Sequence, residues 1–174
     1  MALFAFASLS LLVVFSIQVL AQKEDYYWQD YDGCIPTDAI VGGQDSNGTN
    51  IYIGQVYVRS KGLMVAQINV GDTEVYAAIN GIQKVDSNIK ILCGNQENFY
   101  WMESNCTVLH DMLENRTAVL GGHEDYEGDI NIGRVEYEGE TRIGKVNTFQ
   151  LNGDSFFFFN NDGEEKLLKS YEIL

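Results

Sequence analysis

The segment Ala118-Val119-Leu120-Gly121-Gly122, followed after an acidic stretch by Ile130-Asn131-Ile132-Gly133-Arg134-Val135, has an earlier counterpart. That counterpart is Ala39-Ile40-Val41-Gly42-Gly43 with Ile51-Tyr52-Ile53-Gly54-Gln55-Val56, and Gly121 and Gly133 each stand 79 positions after Gly42 and Gly54. Upstream, Tyr27-Trp28 answers Tyr100-Trp101, with Cys34 and Cys106 following. Downstream, Ile91-Leu92 answers Ile173-Leu174. The chain therefore reads as two copies of a unit of roughly 73 to 79 residues, longer than the 20–50 residues of a solenoid repeat.

Both copies have the pattern of strands. Ile51 and Ile53 share one parity while Val56 and Val58 share the other, and the change falls at Gly54; Ile130 and Ile132 give way to Val135 and Tyr137 across Gly133 in the same manner. A glycine at a parity change predicts a β-bulge at each site. Turn pairs recur at Asn47-Gly48, Lys61-Gly62, Asn80-Gly81, Glu138-Gly139, Asn152-Gly153 and Asp162-Gly163, the spacing of a meander of short antiparallel strands. Phe156 to Phe159 is apolar on both parities and predicts a strand covered on both faces. The one helical spacing is short, Val108 to Leu113, through Leu109, Met112 and Leu113. The fold class is all-β: two pseudo-symmetric antiparallel subdomains packed together, with little helix.

Composition bounds the partners. The 174 residues carry 25 acidic and 11 basic side chains, a formal charge of −14, so the surface repels phosphate backbones and anionic headgroups. Neither a nucleic-acid partner nor a membrane partner for the mature form is expected. Residues 1–21 hold no charge and a nearly continuous apolar run, then Gln22-Lys23-Glu24-Asp25 turns polar. This reads as a signal peptide cleaved after Ala21, leaving a first unit over 22–94 and a second over 95–174 in a secreted, extracellular protein. Sequons at Asn47, Asn105 and Asn115 fit that route as glycosylation sites. Cys34, Cys93 and Cys106 allow one intrachain disulfide with one thiol left over, to pair between chains or be buried.

Chemistry-bearing clusters are few. Glu136, Glu138 and Glu140 read as a solvated strand face. Asp45-Ser46-Asn47-Gly48 and Asn160-Asn161-Asp162-Gly163 lack the full register of a calcium loop and read as turns. His110 and His123 belong to no zinc-ligand spacing. No metal, no cofactor and no enzymatic activity are expected.

Several motifs in order and spacing resemble the DM-nine repeat family: Gly121-Gly122, Ile132-Gly133-Arg134-Val135, Gly144-Lys145-Val146, Gly163-Glu164-Glu165 and Tyr171-Glu172-Ile173-Leu174. The resemblance spans Trp28 to Leu174 and is stronger in the second copy. It implies a two-repeat β fold and sugar binding like that of the family's mannose-specific lectins, in which an acidic residue of the early turn and the lysine of the Gly-Lys-Val motif contact the sugar. Carried onto this chain, the lysine is Lys145, the acidic candidates are Asp125 and Glu127, and Arg134 is an orienting partner. The first copy keeps Asp45 in its turn but has Gln67 at the lysine position and Gln55 at the arginine position, so its site is expected to be degenerate. Independently of the family, a carboxylate with an ammonium can satisfy adjacent sugar hydroxyls without a metal. The function these readings imply is a secreted, metal-independent lectin for mannose-type microbial glycans. Single-sugar sites bind weakly, which calls for a homodimer or clustered ligands. The alternative is a secreted protein-interaction or structural component, of salivary or venom type, whose sugar site has decayed.

Overall fold

The computed structural model describes residues 25–149 and 153–174; the segment 1–21 read as a signal peptide and part of the Asn152-Gly153 turn lie outside the described residues. Fourteen strands join in one hydrogen-bonded sheet with antiparallel pairings throughout. They are β1 (Tyr26–Asp30), β2 (Val41–Gln44), β3 (Asn50–Val58), β4 (Gly62–Asn69), β5 (Val75–Ala78), β6 (Ile82–Val85) and β7 (Lys90–Gly94), then β8 (Met102–Asn105), β9 (Leu120–Glu124), β10 (Gly128–Tyr137), β11 (Glu140–Asn147), β12 (Phe157–Asn161), β13 (Glu164–Leu168) and β14 (Ser170–Ile173). The expected short helix is α1, Leu109–Leu113, which buries Leu109.

The two halves pair their strands in the same order. In the first, β1, β7, β3, β4, β5 and β6 are successive neighbours and β2 lies on β3; in the second, β8, β14, β10, β11, β12 and β13 follow one another and β9 lies on β10. Tight turns close the hairpins where the sequence placed them. Asn80 and Gly81, Glu138 and Gly139, and Asp162 and Gly163 all have positive φ, the geometry of the turns that match strand twist.

The halves are joined through their glycine pairs. β9 adds to β4 through Gly62↔Glu124 and Leu63↔His123, and β2 lies reciprocally against β11. A Cβ on Gly122 would overlap the Leu63 carbonyl, and one on Gly43 would overlap Thr141, so the two strands can close only without side chains there. Core residues of both halves, including Ile40, Ile53, Met64, Ile130, Ile132 and Ile143, form a single buried cluster. A second cluster of Leu109, Val146, Phe157, Phe159, Tyr171 and Ile173 lies in the second half.

Two expectations are corrected. Gly54 and Gly133 are not bulges on their hairpin ladders, since Gly54↔Ala66 and Gly133↔Gly144 continue the registers of their neighbours. The register shifts lie at Val41/Gly43 and Ile130/Asn131, on the ladders with β2 and β9. At Gly54, β3 exchanges its second hydrogen-bonded neighbour from β2 to β7, and the parity of its buried residues changes at the same place. Glycine is retained there because a Cβ would press on Ile68 and the Ala66 carbonyl. The phenylalanine run is the other correction: Phe157 and Phe159 are fully buried, whereas Phe156 and Phe158 on the opposite parity are only half covered.

Candidate functional site

Lys145 sits in the middle of β11, opposite Ile132 of β10 and Phe158 of β12. Flanking strands cover its side chain, which is 3% exposed. Burying an ammonium is costly unless it is paired. The partner is Glu124, the last residue of β9, whose Oε2 accepts a hydrogen bond from Lys145 Nζ at 2.8 Å and whose side chain is 15% exposed. Nζ also lies 5.1 Å from the Phe158 ring centre, within cation–π range. Among the described residues Glu124 is the one hydrogen-bond acceptor of this ammonium, although an ammonium carries three protons. The pair thus combines an anion, a cation with unused donors and an aromatic ring at the end of β9.

The turn after Glu124 is pinned by its backbone. Asp125 N donates to Lys61 O at 2.8 Å and Glu127 N donates to Glu124 O at 3.1 Å. Tyr126, at φ 67°, stands fully exposed at its tip. Neither Asp125 nor Glu127 is hydrogen-bonded or ion-paired to Lys145; the residue the fold places there is one position earlier. Glu124 was legible as acidic but not as the partner, because whether a residue faces inward at a strand end depends on the register with β10.

Arg134 does not join Lys145. Its Nε and Nη2 hold both Glu172 oxygens at 2.7 and 3.2 Å, Nη1 donates to Gly42 O at 2.8 Å, and the guanidinium lies 4.4 Å from the Trp101 ring centre. With those donors engaged, Arg134 clamps β10 to β14 and to the first half. In the first half, Asp45 Oδ1 accepts from Asn47 N and Thr49 N at 2.9 and 2.8 Å, which holds its carboxyl below the usual range and closes its own turn. Gln67 accepts a hydrogen bond from Ile143 N at 3.1 Å and donates to Asn69 at 3.0 Å, so the position equivalent to Lys145 is spent on joining the halves.

All three cysteines are free, Cys34 exposed and Cys93 and Cys106 buried, so the expected intrachain disulfide is absent. The physical reason is placement: Cys93 is on β7 in the main core, Cys106 follows β8 in the other half, and Cys34 is on an exposed loop. Burial, with Asp38 nearby, pushes the Cys93 thiol up to about 11. Asn47 and Asn115 are exposed, while Asn105 is half-buried and its side-chain oxygen accepts from Thr107 N and Oγ1.

Among the described residues no group of three His, Cys, Asp or Glu side chains could hold a metal ion. No described helix is long and apolar enough to cross a membrane. His110 Nε2 meets Ser155 Oγ at 3.1 Å, but Ser155 is completely buried. Two clefts of about 500 and 540 Å³ open elsewhere on the molecule, and neither is lined by Lys145 or Glu124. Comparison with curated proteins gives no match. The DM9 repeat model matches residues 57–166, from the end of β3 to the middle of β13, and so includes Glu124, Lys145 and Phe158. A match over that much of the chain places this protein in the DM9 repeat family.

Proposed function

We propose that this DM9 repeat protein is a secreted, metal-independent lectin for mannose-type glycans, binding one sugar at Glu124 and Lys145 in its second half. The observation that carries the reading is the buried ammonium with a single acceptor among the described residues, held 2.8 Å from a carboxylate that is open to solvent at one edge. Two adjacent hydroxyls of a pyranose can donate to the free carboxylate oxygen and accept from the unused ammonium protons. Both bonds are charge-assisted and neither needs a metal. Family membership is consistent with a lectin-like role. The first half, with Gln67 and Asp45 both committed to structure, contributes no second site. No catalytic step is assigned; the Ser–His contact among the described residues has its serine completely buried.

Export rests on the apolar residues 1–21 and on the three sequons, and the exposed Asn47 and Asn115 are the acceptors a glycosyltransferase would reach first. Weak single-sugar affinity, on the order of millimolar, suits clustered glycans of a microbial surface engaged by more than one copy of the chain.

Isothermal calorimetry with mannose in EDTA tests the site. Wild-type heat that Lys145→Ala and Glu124→Gln both abolish, and that Asp125→Ala leaves unchanged, is the expected result. A wild type that releases no heat at millimolar sugar sinks the proposal.

A further inference from the structure

Tyr126 is the second central residue of the turn from Glu124 to Glu127, closed by Glu127 N donating to Glu124 O at 3.1 Å. Its φ of 67° is the left-handed conformation that such a position reserves for glycine or asparagine. Tyrosine gains nothing in the fold for adopting it, because its side chain is 100% exposed, the highest value among the exposed large hydrophobics. A strained, bulky residue with no internal contact to offset the strain points to a use outside the fold.

The surroundings narrow that use. The turn is held at Asp125 by the hydrogen bond to Lys61 O, and at Gly128, with φ 144°, the chain passes so close to Phe149 that a Cβ would strike it. The ring is therefore displayed on a hydrogen-bonded turn, two residues along the chain from Glu124. The corresponding turn in the first half is Asp45-Ser46-Asn47-Gly48, which has no aromatic residue, and that half also lacks the lysine. The aromatic ring and the ion pair occur together in one half and are absent together from the other.

We infer that Tyr126 is a stacking platform that receives the C–H face of a pyranose whose adjacent hydroxyls are held by Glu124 and Lys145, making the site selective for sugars that present an unobstructed apolar ring face. The inference rests on the carbohydrate reading of that pair. A sugar is polar at its rim and apolar on its ring face, so an ion pair alone leaves half its surface unrecognised. A tyrosine ring supplies the missing apolar wall at low entropic cost, with two side-chain torsions to fix.

The experiment measures affinity and thermal stability together on the full chain, with D-mannose and D-galactose as probes and the variants Tyr126→Gly, Tyr126→Phe and Tyr57→Ala. Tyr126→Gly is expected to weaken binding of the preferred sugar about three- to tenfold, in line with the worth of an aromatic contact. It should raise Tm by about 2–4 °C, because glycine relieves the left-handed strain. Tyr126→Phe retains binding, and Tyr57→Ala, which removes another exposed ring, leaves it unchanged. Wild-type binding that survives Tyr126→Gly undiminished overturns the platform and leaves the Glu124–Lys145 site standing. Absence of binding by wild type to either sugar overturns both.

Discussion

Replacing Lys145 by methionine is the sharpest perturbation of the site, because it keeps the volume of the stem and removes the ammonium alone. Glu124 would be left 15% exposed and without its cation. Breaking a fully buried pair costs about 3–5 kcal/mol. Partial access of water to the carboxylate lowers that to about 2–3 kcal/mol, and the lost approach to Phe158 adds about 0.5 kcal/mol. For a domain of this size the total corresponds to a fall in Tm of about 5–14 °C. Glu124→Met should cost at least as much, since it strands the more deeply buried ammonium.

The double variant Glu124→Met/Lys145→Met removes both charges and fills the space with apolar side chains. Replacing a buried pair in this way is often close to neutral, so the double variant should be more stable than either single one. Urea unfolding followed by the fluorescence of Trp28 and Trp101 reads all three free energies. Singles that add to the double within about 0.5 kcal/mol would refute the argument, because additivity means the two side chains do not sense each other. If the coupling is found, the double variant becomes a folded protein without the Glu124 carboxylate and the Lys145 ammonium, and its failure to bind sugar cannot be blamed on unfolding.

Thiol titration with a chromogenic disulfide should count one reactive cysteine, Cys34, in the native protein and three in urea; a count below three in urea would reveal a bridge the structure does not contain. Gly122→Ala should cost more than about 3 kcal/mol, since its Cβ meets the Leu63 backbone, whereas Gly42→Ala meets the movable end of Ile143 and should cost about 1–2 kcal/mol, both read by thermal melts. Asp45 has a lowered carboxyl, so the order it gives the turn to Thr49 is present above the unfolded value and lost as pH falls through the folded one. Amide exchange of Thr49 should accordingly accelerate below the usual carboxylate range, and a rate with only the intrinsic pH dependence would rule out that role.

What the sequence disclosed and what it withheld divide along a physical line. Hairpin turns depend on two adjacent residues, so Asn80-Gly81, Glu138-Gly139 and Asp162-Gly163 were readable, as was the one-sided spacing of α1. The glycine pairs were visible as a repeated motif but not as contacts, because their purpose is the approach of each half's second strand to the other half, a separation that no local pattern encodes. The same holds for Gly54, whose parity change coincides with the exchange of β2 for β7 beside it and involves no inserted residue on the ladder with β4.

The site shows the division most clearly. Lys145 could be singled out as a lysine between Gly144 and Val146, yet its acidic partner had to be chosen among Glu124, Asp125 and Glu127, three carboxylates within four residues. Successive side chains of a turn point in different directions, and the register of β9 on β10, Gly128↔Glu124, leaves Glu124 at the lysine. Arg134 was misplaced for a related reason. Its alternation with Ile132 puts it on the strand face that Lys145 also uses, but β14 lies beside β10 only from Gly133 onward, so the guanidinium turns to Glu172 and Trp101 before it could reach the lysine. An ion pair legible from composition is therefore assigned by strand order, which sets Lys145 against Glu124 and Arg134 against Glu172.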